Sequence, residues 1–248
     1  MDLASSIATS RLVAQQRALD VIAGNLANAN TPGYKAEHVL FSDWLSRQSG
    51  GTTPPGGNPI AYTQDRATWR EQRPGTVTHT GNPFDLAVTG TGFFTVNTAN
   101  GPRLTRDGRF GLMPSGTIAD AAGNPVLDTN GQPIQLAPTD TQVTIAGDGT
   151  VSSENGQLGK IGIVQPADPA LLAAEGGTLF RSGSPTTPVA APALEQGAVE
   201  DSNVQPVLEV TRMIDQERSF EFTTQMLQAE SDRQQNAIQK LLPQQQST

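Results

Sequence analysis

The sequence predicts an α+β chain: N- and C-terminal α-helices, coiled-coil-like, flank a central, mainly antiparallel β domain. Three observations carry this. Apolar residues recur at seven-residue and alternating four-three spacing at both ends of the chain. Short apolar runs of strand length, separated by glycine turn pairs, fill the region from 84 to 182. Stretches rich in glycine and proline separate these regions. The boundaries that follow are a helical domain from 1–30 with 203–248, an extended connector over 31–80, and a β-rich domain over 81–202 with an irregular C-terminal connector.

The first element is a helix over 3–27. Leu12, Leu19 and Leu26 recur every seventh residue, and Ala8, Gln15 and Ile22 fill the alternate steps. The helix has to stop soon after. Pro32 disfavours helical geometry at Thr31, and Pro32-Gly33 suits the centre of a type II turn, where glycine supplies a positive φ. Asn28 and Asn30 tolerate left-handed backbone beside a helix end. The stretch "GNLANANTPGYKAE" is therefore a stop followed by a sharp exit.

The run "SRQSGGTTPPGGNPI" at 46–60 reads as a flexible connector. Residues 61–80 are polar and give no clear periodicity. Strand-like runs then follow: "FDLAV", "GFFTV", "PIQL", "QVTI" and "GKIGIV". Between them fall Asn100-Gly101, Asp107-Gly108, Ser115-Gly116, Asn130-Gly131, Asp148-Gly149 and Asn155-Gly156, several with hairpin chemistry. Residues 183–200 read as irregular. From 203 to 242 the chain is glycine-free and helical in pattern, with Asn203 as its N-cap and Pro206 in its first turn. The tail "PQQQST" is expected to fray.

Composition excludes several functions. Lys+Arg 16 against Asp+Glu 24 gives a net charge of −8, and no basic cluster is present to meet nucleic acid or an anionic membrane. The absence of cysteine removes disulfides, thiol catalysis and zinc-thiolate sites. The N-terminus carries Asp2 where a secretory signal needs positive charge, and no run reaches membrane-spanning length. No direct membrane insertion is expected.

No motif supports catalysis or a cofactor. "GTGFF" at 90–94 leads into a strand-like run rather than the helix a phosphate loop requires. In "DTNGQ", placing Gly131 at the sixth position of a calcium loop puts Val126 first and Ala137 twelfth, and neither can ligate. His38 and His79, the two histidines, lack metal-ligand spacing. No Gly-x-Ser-x-Gly elbow occurs. Asp107 and Glu221 read as a turn residue and a helix-surface charge.

Three stretches carry a resemblance. "LDVIAGNLANANTPGYKAE" resembles the N-terminal signature of the bacterial flagellar axial proteins, the rod and hook group. "GTVTHTGNPFDLAVTGTGFFTV" with "LTRDGRF" resembles the signature at the entry to that family's β domain. "NVQPVLEVTRMIDQERSFEFTTQMLQAESD" resembles its C-terminal helix, where Asn203, Met213, Ile214, Arg218, Phe220 and Glu221 fit the pattern. Gly24 stands where asparagine is common, and Tyr34 where phenylalanine is frequent.

The resemblance implies a non-enzymatic structural subunit of the basal-body rod. It would be exported by the flagellar type III apparatus without a cleaved signal and would stack helically with other rod proteins in the periplasmic space. The terminal helices would line the inner tube, and the rod would transmit torque from motor to hook. The expected assembly residues are Leu12, Leu19, Ile22 and Leu26 on the first helix. On the last they are Val210, Met213, Phe220, Leu227, Ile238 and Leu241. Asn25, Asn28, Thr31, Pro32, Gly33 and Tyr34 form the signature turn. Two helices with polar interruptions bury little area, so order is expected to come from packing against neighbouring copies. The alternative is a secreted surface- or carbohydrate-binding β module with helical multimerisation arms, and a third class is a β-domain glycan hydrolase.

Overall fold

The computed structural model describes residues 3–46 and 60–241. The connector read at 46–60 therefore lies, but for its two ends, outside the described residues, as does the tail "PQQQST". Two α-helices stand at the ends of the described chain and antiparallel strands lie between them. The chain divides into two compact units and passes between them at 26/27, 36/37, 70/71 and 204/205.

The helical unit holds α1 (Leu3–Ala27), a long hairpin of β1 (Glu37–Ser46) and β2 (Ile60–Arg70), and α2 (Pro206–Leu241). β1 and β2 pair antiparallel from Glu37↔Arg70 outward, with a register shift between Leu40 and Phe41. The span 31–80, read as a connector, thus supplies this hairpin and the short strand Val77–His79. α2 begins at Pro206, whose missing N–H costs nothing in a first turn, and Glu209 lies in that turn beside the positive helix end. Asn203 is not the N-cap: it lies outside the helix and its side chain bonds three other backbone groups.

The β unit is built from 27–36 and 71–204. Its largest sheet has six strands, with Phe93–Thr98 and Gly101–Thr105 at its centre. The core gathers Leu86, Phe94, Val96, Phe110, Ile118, Val126, Val151, Ile161 and Ile163, with Phe94 edge-on to Phe110 at 5.1 Å. A smaller cluster of Phe93, Leu104 and Phe180 lies in the same unit.

Four of the five predicted strand runs contain strands; "PIQL" makes only isolated bridges at Pro133 and Gln135, although Ile134 and Leu136 are buried. The 183–200 stretch, expected to be irregular, supplies Thr186–Pro188, Leu194–Gln196 and Ala198–Glu200. Three-residue strands are too short for alternation to show in sequence. Five of the six turn glycines have positive φ, as turn chemistry requires. Gly108 does not; it is needed for space, since a Cβ there would lie 1.6 Å from the Leu86 carbonyl oxygen.

Candidate assembly surfaces and the chain-return loop

Within the helical unit α1 and α2 run antiparallel. Gln15 Nε2 donates to Ser219 Oγ at 2.8 Å and Asn25 Nδ2 to Glu209 Oε2 at 3.4 Å, so the contacts run in opposite order along the two helices. The buried face of α1 consists of Ala14, Gln15, Ala18 and Asn25. On α2 the partly or fully buried residues Glu209, Met213, Gln216, Phe220, Thr223, Leu227, Glu230 and Gln234 alternate by four and three, with Ser219 beside them. This is a heptad stripe with more polar than apolar members, and on the facing α1 Gln15 Oε1 is buried without a partner.

The predicted assembly residues separate into groups. Leu12, Leu19, Ile22 and Leu26 are half-buried on α1. Met213, Phe220 and Leu227 are half-buried on the stripe that carries Glu209. Val210 and Ile238 are exposed, and the Leu241 side chain lies outside the described ones.

Sequence reasoning missed the more informative residues. Val207, Phe222 and Met226 are 83%, 70% and 60% exposed, and Ile214 is exposed as well. At about 100° per residue these side chains and Val210 fall on the side of α2 opposite the buried stripe. The signal was present in the spacing of Val207, Val210 and Ile214, a second apolar stripe beside the one followed.

The signature turn belongs to the β unit. Tyr34 N donates to the Thr31 carbonyl at 3.2 Å around Pro32-Gly33, and Gly33 has φ 68. A Cβ on Gly33 would lie 2.2 Å from Asp107 N, so this turn sits directly on the "TRDG" backbone. Thr31 also bonds Asn28, through both backbone and side chain. Tyr34 and Ala36 pack with Val204.

Next to that turn lies a buried ionic cluster. Lys35 Nζ bonds Glu200 Oε1 and the Arg73 carbonyl, and Arg106 Nη1 reaches Glu200 Oε2 at 3.1 Å. Arg106 also donates to the carbonyls of Val88 and Gly90. Two cations share one carboxylate. Burial pushes the Lys35 ammonium below its ordinary pKa, against the pull of Glu200, and lowers Arg106 likewise. The cluster is enclosed and holds chain segments together; it offers no opening for a substrate.

The remaining candidates have local roles. His38 stacks on Trp69 at 4.8 Å and His79 faces Glu195 at 3.3 Å on the surface. Among the described residues no group of three ligating side chains gathers for a metal. Gly92 has φ 120 and leads into a strand. Asp128 closes its turn by accepting from Asn130 N and Gln132 N. Asp107 accepts from Arg109 N, and burial raises its pKa, while Glu221 is exposed on α2.

Comparison with known proteins accounts for these segments. Residues 6–35 match the family described as flagella basal body rod protein. Residues 87–153 match the flagellar hook protein FlgE/F/G D1 domain, and 195–240 the C-terminal region of flagellar basal body rod FlgEFG proteins. The flagellar basal-body rod protein FlgF of Caulobacter vibrioides is 37% identical over 243 residues, covering 97% of this chain and 98% of its own. FlgF of Mesorhizobium japonicum is 36% identical over 95% of this chain and 96% of its own. FlgG of Bacillus subtilis is 33% identical over 86% of this chain and 89% of its own. These matches favour a rod protein over a carbohydrate-binding module. With the signature turn and nearly all of both helices inside the matched segments, the chain belongs to the flagellar basal-body rod protein family, most like its FlgF members, and is a structural rod subunit, not an enzyme.

Proposed function

We propose that this subunit joins the rod through the outward apolar face of α2, with the leucine seam of α1 contributing beside it. The observation that carries the reading is the exposure of Val207, Val210, Ile214, Phe222 and Met226 along one side of a single helix. Large apolar side chains exposed on one side of a helix, here interspersed with exposed Arg218, Glu221 and Gln225, mark a protein interface with a polar component. A contact between different faces of successive subunits does not close on itself and propagates as a helical stack. Leu12, Leu19, Ile22, Leu26 and Val210 belong to the proposed surface, and Met213, Phe220 and Leu227 to the helix pair behind it, with exposed Ile238 in line with Phe220 five turns further on.

Its neighbours are other rod proteins, the stack stands in the periplasmic space, and it carries torque from motor to hook. Export proceeds through the flagellar type III apparatus without a cleaved signal. A helix pair whose shared stripe is mostly polar opens readily, which suits a chain threaded unfolded through a narrow channel.

The test is incorporation of full-length Phe222→Glu and Met226→Glu variants into purified basal bodies. Loss of incorporation, with β-unit amide protection unchanged, is the expected result. Normal incorporation of both variants overturns the reading.

A further inference from the structure

The four chain passages between the units are cross-tied inside each unit. In the β unit Asn203 holds three of them: its Oδ1 accepts from Ala36 N at 2.7 Å, and its Nδ2 donates to the carbonyls of Glu71 and Arg73 at 3.0 and 2.9 Å. Ala36 precedes the passage at 36/37, Glu71 follows the one at 70/71, and Asn203 itself precedes the one at 204/205. The buried Lys35–Glu200 pair ties the same three segments again, through the Arg73 carbonyl and Gly75 N. In the helical unit Asn25, beside the passage at 26/27, bonds the backbone of Glu37 and the carboxylate of Glu209, and Glu37 pairs with Arg70 at 3.1 Å. Each passage is therefore fastened to another within a few residues of where it leaves a unit.

We propose that Asn203 is a load-sharing clamp. Force arriving along one passage is spread over three by its side chain before any strand of the β unit is pulled away. This rests on the torque-bearing reading above. Backbone bonds also join these segments, Glu71 N to the Ala36 carbonyl at 2.9 Å and Asn203 N to the Tyr34 carbonyl at 3.4 Å; without the side-chain ties, a pull on one passage would open them one at a time. With them, bonds across three segments must break together.

The chain has no cysteine, so handles can be attached at chosen sites. Single-molecule pulling of the full chain between Gln157→Cys in the β unit and Val207→Cys at the start of α2 loads the passage at 204/205. Pulling between Asn100→Cys and Gln157→Cys loads the β unit internally. In the first geometry Asn203→Ala is expected to rupture at least about tenfold faster at a fixed force, the scale set by losing one net hydrogen bond at the barrier. In the second its rate should match the parent. Equal rates in the first geometry overturn the clamp, and so does equal acceleration in both, which is plain destabilisation. If Asn203→Ala does not fold, Asn203→Ser is read by the same criteria. The pulling uses isolated chains, so it succeeds or fails independently of the incorporation assay with Phe222→Glu.

Discussion

Asn25 Oδ1 accepts from the Glu37 amide at 2.8 Å while Asn25 Nδ2 donates to the Glu37 carbonyl at 2.8 Å, so one side chain pairs with one residue as an adjacent strand would. Asn25 is 1% exposed, and without it both backbone groups lose these partners. Asn25→Ala is expected to destabilise the helical unit by about 1–3 kcal/mol, the cost of stranding such groups. Asn25→Asp, which sets a carboxylate against the Glu37 carbonyl and Glu209, should cost at least as much. Urea unfolding followed by helix circular dichroism checks both.

The buried cluster makes a contrasting demand. Lys35→Met leaves Glu200 with Arg106 as its one cation beside the Gly75 amide, and removes the tie to Arg73. Breaking one partner of a buried ion pair costs about 3–5 kcal/mol, whereas replacing the whole set by apolar residues of similar volume is often neutral. A Lys35→Met, Glu200→Leu, Arg106→Met triple variant is therefore expected to be more stable than Lys35→Met by urea midpoint.

Gly108→Ala and Gly111→Ala should differ sharply. The first places a methyl 1.6 Å from the Leu86 carbonyl oxygen, while the second meets nothing within 4 Å. Thermal unfolding should show Gly108→Ala destabilised by about 1–3 kcal/mol or more through overpacking, with Gly111→Ala near the parent.

Glu154 supplies a pH dependence. It accepts from Thr141 N, Thr141 Oγ1 and Gln142 N, and the Thr141 backbone bond leads in drawing its pKa from 4.5 to about 2. A carboxylate depressed on folding adds stability that is present above its unfolded value and lost as pH falls toward about 2. Amide resonances of Thr141 and Gln142 should titrate near that lower value, and Glu154→Gln should flatten the acid limb of stability.

The architecture was legible because its signals are local. Heptad spacing gave α1 and α2, Pro32-Gly33 gave the turn, and most glycine pairs lay at real turns. The hairpin of β1 and β2 was not, since "EHVLFSDWLS" shows no clean alternation and its partner lies across a glycine-rich gap. Asn203 was misread because an asparagine near a helix start resembles a cap unless its long-range partners are known. The same limit hid the Lys35–Glu200–Arg106 cluster, whose members are far apart in sequence. On α2 the apolar residues at Met213, Phe220 and Leu227 obscured a second stripe, and only exposure separated the inward face from the outward one.

The outward face of α2 is tested most directly by a photo-activated cross-linking amino acid placed at Phe222 in assembled basal bodies. The account predicts covalent adducts between this subunit and an adjacent rod subunit, absent when the same group replaces Gln157. Rods that incorporate the probe at Phe222 and yield no adduct to any rod protein would contradict it.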